Sequence, residues 1–239
     1  MMTMALKTEK NPELTTAGKI YILRGFISIG LSGTLFFLAA GRIDIPRGWI
    51  YFISTAFLVF ISNLIIAKYN PVLLNQRSKI QKGSKNWDKM WLFSFMMLFM
   101  YGMPFVAGWE IGRLGNQFAG ITTIIGIIIF LISLYISTWA MSINRFFETS
   151  VRIQTERNHY VISEGPYKIV RHPGYTAGLL WAFGFPLFIG SMMALYLGIV
   201  IIIGFILRTY LEDKTLQKEL NGYKAYALKV KYRLIPYIW

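Results

Sequence analysis

The sequence is poor in cysteine, histidine and acidic residues. Its 239 residues include no cysteine and two histidines, and 11 Asp and Glu stand against 25 Lys and Arg. Disulfides, thiolate catalysis and cysteine-bound metals are therefore excluded. Two histidines are also too few for a histidine-rich metal centre. We expect no metal.

The basic excess, a formal net charge of +14, has two readings. A nucleic-acid-binding domain would carry a basic stripe interleaved with aromatic side chains, and the sequence shows none. Membrane proteins, in contrast, collect Lys and Arg on their cytosolic loops. With 55% hydrophobic and only 15% charged residues, the composition is that of a polytopic membrane protein. We therefore expect membrane lipids, and no nucleic acid, as partners.

Long uncharged runs separated by polar segments predict an all-α protein with about six membrane spans. The run from His172 to Leu207 is too long for one crossing, and Pro186 and Gly190 lie near its middle. It is therefore interpreted as a tight helical hairpin with two short arms. The predicted spans are Lys19–Ala40, Gly48–Ala67, Met90–Trp109, Phe118–Met141, Tyr175–Ile189 and Met192–Tyr210.

The distribution of basic residues predicts the topology. Of the 25 Lys and Arg, 22 fall in residues 1–24, 68–89, 144–174 and 208–239, and the other three are Arg42, Arg47 and Arg113. The positive-inside rule then places both termini and the polar segments next to them in the cytosol. We divide the chain into a disordered cytosolic tail (1–17), three N-terminal transmembrane helices (18–116) and a functional region (117–239).

The most polar stretch between apolar blocks is Gln154–Tyr175, which contains both histidines, His159 and His172. Pro166 and Pro173 each fix a turn and push the preceding residue out of helix. Pro173 is also suited to the first turn of the next helix, whose free N–H groups favour a carboxylate or phosphate. The stretch is either a membrane entry turn or part of a site.

Charged pairs flank this stretch. Arg208 and Glu212 are four residues apart, so they share a helical face, either as a surface ion pair or as charges at a membrane-face cavity. Arg152 and Glu156 are interpreted as a solvated helical pair. The tyrosines of the tail, residues 211–239, are interpreted as an interfacial belt.

An ordered set of motifs resembles the isoprenylcysteine carboxyl methyltransferase family and its relatives, the phospholipid N-methyltransferases. The resemblance covers about residues 140–239, and it departs from the family pattern at Gly178, one residue late, and at Asp213, where Glu is usual. The motifs are Gly165-Pro166-Tyr167, Arg171-His172-Pro173-Gly174-Tyr175, Glu212-Asp213-x-x-Leu216, Tyr223-x-x-Tyr226 and Arg233-x-x-Pro236.

The resemblance implies an integral membrane methyltransferase that uses S-adenosylmethionine, with its active site on the cytosolic face. Its acceptor would be lipophilic: a lipid or a prenylated molecule, methylated on an isoprenylcysteine-type carboxylate or a headgroup. Arg208 would bind this acceptor, and Arg208 and Glu212 would be the catalytic pair. The cofactor would be met by Gln154, His159, Tyr160, Val161, Ile162, Tyr167, His172, Pro173, Gly174, Tyr175 and Glu212.

The acceptor's chemistry stays open at this point. A carboxylate is already nucleophilic and suits Arg208, whereas an amine must lose a proton, for which His159 or Glu212 is the candidate base. Two other functions are also compatible with the sequence: an NADPH-dependent membrane reductase similar to the sterol reductases, and a non-enzymatic membrane protein. Cofactor binding separates the three.

Overall fold

The structure, a computed structural model, describes residues 13–78, 85–118 and 120–239, and within these residues it has helices and no strand. This confirms the predicted all-α class. The helices are α1 (Thr16–Ala40), α2 (Pro46–Tyr69), α3 (Pro71–Gln76), α4 (Asn86–Met97), α5 (Met103–Leu114), α6 (Gly120–Ile143), α7 (Pro173–Ile189), α8 (Met192–Glu219) and α9 (Tyr223–Lys229).

Five helical segments of the described chain are long and apolar enough to cross a membrane. They are α1, α2, α4 together with α5, α6, and α8. Helix α7 has 17 residues, which is about 25 Å at 1.5 Å per residue against a hydrocarbon core of roughly 30 Å. All six predicted apolar helices are therefore present, and α7 is the short arm of the α7–α8 hairpin, which turns at Gly190 in a left-handed conformation.

Helix α7 can be short because other helices surround it. Most of its C-terminal half is buried, including Phe185 and Phe188, and it packs against α2, α6 and α8. A polar turn within the depth of the membrane is tolerated where protein rather than lipid covers it. At that turn the Glu110 carboxylate of α5 accepts hydrogen bonds from the Ser191 hydroxyl and the Met193 N–H.

A π-helical turn, Leu98–Gly102, joins α4 to α5. Pro104 lies just after this turn and has no N–H to donate. The regular series of α-helical backbone hydrogen bonds therefore cannot continue unchanged through this region. The turn carries Phe99, whose ring meets Trp181 and Phe205 edge-on. The predicted third span was therefore placed correctly but is not a uniform α-helix.

Helix α8 extends beyond its predicted end, Tyr210, to Glu219. The added turns carry the helical face that was expected for Arg208 and Glu212, and Arg208, Thr209 and Asp213 are buried on one side of the helix. The predicted tail 1–17 differs too: α1 begins at Thr16, and residues 1–12 lie outside the described residues. Of the predicted loop 68–89, 79–84 also lie outside them, and Pro71–Gln76 forms α3.

Contacts gather the basic segments at one end of the bundle. The Thr15 N–H donates to the Asn75 side chain at 2.9 Å, Arg77 donates to the Phe147 carbonyl at 3.2 Å, and Lys85 pairs with Glu219 at 2.8 Å. At the opposite end Arg113 donates to the Ala39 carbonyl at 3.0 Å. The four basic segments named from the sequence thus meet wherever the structure describes them, and they bring the polar stretch and the end of α8 together.

Candidate active site

A cavity of about 320 Å³ opens at the basic end of the bundle. This size is within the range of roughly 300–1,000 Å³ typical of small-molecule sites. One part of the wall is polar and comes from residues 144–175 and the end of α8. The other part lies between the membrane-spanning helices and is apolar. Its side chains include Val59, Leu92, Met96, Phe99, Phe130, Leu134 and Phe205.

The predicted site residues line this one cavity, although they come from three separate segments of the chain. Their cofactor and acceptor roles stay predictions. The segments are the irregular stretch after α6, the start of α7 and the end of α8, and the lining residues include Gln154, His159, Tyr160, Val161, Ile162, Tyr167, His172, Pro173, Gly174, Tyr175, Arg208 and Glu212.

Gln154 is held mainly by the protein itself. Its side-chain amide donates to the Phe146 carbonyl at 2.8 Å, and its carbonyl oxygen accepts from the Arg157 guanidinium at 2.6 Å. These bonds bury the side chain almost completely. Gln154 therefore anchors the polar stretch to the end of α6, and only its remaining acceptor capacity is available to a ligand.

His159 is an imidazole kept neutral by its surroundings. Burial, reinforced by the positive charges of Arg157 and Arg152, lowers its pKa to about 4. Its Nδ1 accepts the backbone N–H of Gln154 at 3.3 Å, so the proton of the neutral ring sits on Nε2. The ring also packs on Phe146, with 4.4 Å between centroids. His159 is thus arranged as a hydrogen-bond donor and is a poor general base.

The interpretation of Arg152 and Glu156 as a solvated helical pair was wrong. Arg152 is buried, and its Nε lies 2.7 Å from the carboxylate of buried Glu148. Its Nη1 also reaches exposed Glu156 at 2.7 Å, but residues 149–154 are not helical. Four-residue spacing indicates a shared face only within a helix. Arg152 and Glu148 instead form part of the cavity wall.

Tyr167 lies in the short 3₁₀ turn Gly165–Lys168, which Gly165 enters with a positive φ of 55°. Its hydroxyl accepts from the Asn144 amide at 2.9 Å, and its carbonyl accepts from the Tyr226 hydroxyl at 2.7 Å. Burial raises the pKa of Tyr167, so the phenol stays protonated. The turn is therefore fastened both to α6 and to the tail.

Asp213 is the centre of a dense polar cluster. It is 1% exposed, and its carboxylate meets Arg171 at 2.9 Å and Arg233 at 3.0 Å. In the sequence, Asp213 stands out only by its departure from the family pattern. We call the following residues the Asp213 cluster: Asp213, Arg171, His172, Gln217, Tyr223 and Arg233.

The Asp213 cluster fixes the turn that starts α7 against α8 and the tail. Tyr223 donates to Asp213 at 2.9 Å, and His172 Nε2 lies 3.2 Å from the same oxygen. Tyr223 and Tyr226 are both buried. Their interpretation as part of an interfacial belt was therefore wrong, because tertiary packing turns these two rings inward toward the cavity.

Glu212, next to Asp213 in sequence, has different surroundings. It accepts a hydrogen bond from the Tyr175 hydroxyl, and one of its oxygens lies 4.0 Å from His172 Nδ1. Its side chain is 23% exposed and lines the cavity. Within the described ranges, no Lys or Arg forms an ion pair with it. This carboxylate is thus available to a cation in the cavity.

Arg208 pairs with Asp88 rather than with Glu212. Its Nε lies 2.8 Å from an Asp88 oxygen, and its Nη2 donates to the Thr149 carbonyl at 2.6 Å. The surface ion pair considered from the sequence is absent, and Arg208 is buried. Asp88 was not anticipated as a site residue. A signal was present, since Asp88 is the one acid between Asp44 and Glu110 in the sequence.

Comparison with known proteins shows which proteins this chain resembles. The sequence model of the family described as Phospholipid methyltransferase matches residues 121–221. Protein-S-isoprenylcysteine O-methyltransferase of Saccharomyces cerevisiae is 24% identical over 172 residues, which is 71% of this chain and 69% of the yeast protein. The chain is thus similar to the isoprenylcysteine and phospholipid methyltransferases.

Shorter matches of higher identity occur with two plant proteins. The probable protein-S-isoprenylcysteine O-methyltransferase of Oryza sativa subsp. indica is 45% identical over 40 residues, 17% of this chain and 21% of its own length. Protein-S-isoprenylcysteine O-methyltransferase B of Arabidopsis thaliana is 36% identical over 47 residues, 20% of this chain and 24% of its own length. These similarities, together with the five long apolar helices, indicate an integral membrane methyltransferase.

Proposed function

We propose that this membrane methyltransferase transfers the methyl group of S-adenosylmethionine to a lipophilic acceptor at the cytosolic face of the membrane. The observation that carries the proposal is the composition of one cavity. Its polar part contains the residues that the family resemblance assigned to the cofactor, and its apolar part lies between membrane helices. A polar cofactor and a lipophilic acceptor can therefore bind next to each other in one cavity.

The polar part fits the charges of S-adenosylmethionine. The cofactor has an ammonium group, and Glu212 is a cavity carboxylate without a Lys or Arg partner among the described residues. The cofactor's own carboxylate would suit the first turn of α7, where Gly174 has a backbone N–H outside the helical ladder. Phe147 packs so closely on Gly174 that a side chain there would collide with its ring. When bound, the cofactor would supply an electrophilic methyl on a sulfonium.

The chain's residues would contribute position and exclusion of water, because methyl transfer is an in-line displacement. His159 is a weak base whose free nitrogen carries a proton, and Glu212 already accepts a hydrogen bond from Tyr175. An amine acceptor would need one of them to take its proton. A carboxylate acceptor needs no base. The site therefore favours an acceptor with a carboxylate nucleophile.

The apolar part of the cavity suits a long hydrocarbon chain. Phe99 and Phe205, whose rings meet edge-on with centroids 5.7 Å apart, line it together with Leu92 and Met96. The yeast and plant relatives are named for isoprenylcysteine, which combines a hydrocarbon chain with a carboxylate. We propose an acceptor of this chemical class, a prenylated cysteine or a compound that resembles one.

The cytosolic placement rests on charge. Three of the four basic segments counted in the sequence, 68–89, 144–174 and 208–239, contribute residues to the cavity wall, and Arg113 contacts Ala39 at the other end of the bundle. Reporter tags at both termini are expected in the cytosol, and a tag after Asp44 is expected outside. Termini on opposite sides of the membrane would contradict this topology.

The function is tested with the full chain in lipid nanodiscs. We expect calorimetry to detect S-adenosylmethionine and S-adenosylhomocysteine but not NADPH. We also expect a labelled methyl group to reach S-farnesyl-N-acetylcysteine rather than phosphatidylethanolamine vesicles. Binding of NADPH alone would favour the reductase, and methylation of the amine headgroup would overturn the carboxylate assignment.

A further inference from the structure

Asp88 lies far from every motif that identifies the family, in the first turn of α4. It is also outside the region matched by the family model, 121–221. Nevertheless its side chain is 0% exposed and in contact with the cavity wall. One carboxylate oxygen accepts from Arg208 Nε at 2.8 Å, and the other accepts from the Val151 N–H at 2.7 Å.

These contacts determine how Arg208 can act. Asp88 holds Nε, and the Thr149 carbonyl holds Nη2 at 2.6 Å. Across the three described ranges, no residue accepts a hydrogen bond from Nη1. The guanidinium also lies beside the Tyr175 ring, with its central carbon 5.3 Å from the ring centroid. A group bound in the cavity would therefore meet an arginine whose plane is fixed and whose Nη1 remains to donate.

Asp88 holds two parts of the wall at once. Val151, like Thr149, lines the cavity, so the carboxylate connects the stretch after α6 to the end of α8. Leu92 and Met96 follow Asp88 at four and eight residues on the same face of α4, and both line the apolar part. The Asp88 carboxylate thus fixes the position of Arg208, which is expected to bind the acceptor's reacting group, relative to the proposed site for the acceptor's hydrocarbon chain.

We propose that Asp88 is a positioning residue that orients Arg208 toward the carboxylate of the acceptor. This inference rests on the proposed function and adds a residue from the N-terminal half to it. Asp88 also compensates the charge of Arg208, so the acceptor is recognised by a directed N–H group rather than by a free positive charge. Recognition then depends on geometry, and a small displacement of the guanidinium lowers turnover.

The alternative is that Asp88 only ties α4 to the bundle, and the chain offers a matched control for this. Lys85, immediately before α4, pairs with Glu219 at the end of α8 at 2.8 Å. That pair connects the same two helices but does not belong to the cavity lining. Lys85→Ala removes a tie without touching Arg208, whereas Asp88→Asn preserves shape and removes the carboxylate charge.

The experiment measures S-adenosylmethionine affinity, melting temperature, and kcat/KM for S-farnesyl-N-acetylcysteine in nanodiscs. We expect Asp88→Asn to lower kcat/KM by up to about 100-fold, with a cofactor Kd within about twofold of wild type. Asp88→Glu keeps the charge but shifts the carboxylate, and it should also lower kcat/KM. Lys85→Ala should leave it within about twofold. In an Arg208→Lys background, Asp88→Asn should lower kcat/KM little further, because the guanidinium group that Asp88 orients is absent.

Several results would overturn the proposal. One such result is that Asp88→Asn and Asp88→Glu both retain wild-type kcat/KM. Another is that Asp88→Asn lowers kcat/KM as much in the Arg208→Lys background as it does in the wild-type background. Parallel losses of cofactor affinity and melting temperature would assign Asp88 a structural role only. A wild-type chain that binds no S-adenosylmethionine and transfers no methyl group would instead refute the proposed function, and this inference with it.

Discussion

Two adjacent carboxylates at the end of α8 have opposite surroundings. Asp213 is 1% exposed and meets two arginines, a histidine, a tyrosine and a glutamine. Among the described residues, Glu212 accepts a hydrogen bond from the Tyr175 hydroxyl and lies 4.0 Å from His172, and it lines the cavity. The protein itself supplies the hydrogen-bond and charge partners of Asp213, whereas Glu212 keeps part of its hydrogen-bonding capacity for other groups. We infer that the Asp213 cluster builds the site and that Glu212 is there for a ligand.

The difference arises from one residue of helical rotation. Consecutive residues on an α-helix point about 100° apart, so Asp213 faces the start of α7 and the tail while Glu212 faces the cavity. His172 lies between them, with Nε2 toward Asp213 and Nδ1 toward Glu212. The comparison therefore makes separable predictions about stability and about binding.

The largest effect is expected from Asp213→Ala. Removing this carboxylate leaves Arg171 and Arg233 without their buried counter-charge, which typically costs about 3–5 kcal/mol. We expect a large drop in melting temperature and loss of folded protein in detergent. Asp213→Glu is the control that keeps the charge. A folded Asp213→Ala protein with a wild-type melting temperature would show that the cluster is dispensable.

Glu212→Gln should affect binding instead. The cofactor ammonium would lose its charged partner, and a hydrogen bond to a charged group contributes about 1.5–3 kcal/mol. Calorimetry should therefore show S-adenosylmethionine affinity lowered by tenfold or more, with the melting temperature nearly unchanged. Glu219→Gln, which removes an acid from the same helix outside the cavity, is the matched control. An unchanged affinity would return Glu212 to a purely structural role.

His172→Ala should show a mixed effect, because the ring contacts both sides of the comparison. We expect a loss of cofactor affinity worth about 1–3 kcal/mol together with a moderate decrease in stability. Both are measured on one preparation by calorimetry and thermal unfolding. Tyr223→Phe, which removes one hydroxyl from the Asp213 cluster, should lower stability alone. If His172→Ala binds the cofactor as wild type does, His172 is excluded from the site.

The smallest effect concerns His159 and pH. Its folded pKa of about 4 is below its usual value of 6.5, so between these values the unfolded chain binds the proton and the folded chain does not. Its contribution to stability is therefore complete above about pH 6.5 and decreases as pH falls toward 4. The melting temperature, measured by thermal unfolding, should fall less steeply from pH 7.5 to 5 for His159→Gln than for wild type. Identical slopes would show that the ring is not buried as a neutral group.

The sequence was informative where composition or motif is decisive. Uncharged runs located the apolar helices, and the paired prolines located the turn at Pro173, which does begin α7. It was uninformative where tertiary contacts decide. Nothing local distinguishes Asp213 from Glu212. Arg208 has an acid four residues away, yet its direct ion-pair partner is Asp88, 120 residues distant. Tyr223 looked interfacial because its partners become neighbours only after folding.

The seam between α1 and α5 has a consequence for biosynthesis. Gly108 and Gly112 press directly against the carbonyls of Phe36 and Ala40, and a side chain at either glycine would collide with that backbone. Helix α1 emerges from the ribosome long before α5, so α1 lies in the bilayer without this contact until α5 has been synthesised. The seam closes only after α2 and α4 have inserted. Close backbone packing of α1 on α5, away from the cavity, therefore has to be completed late in the insertion of the N-terminal helices.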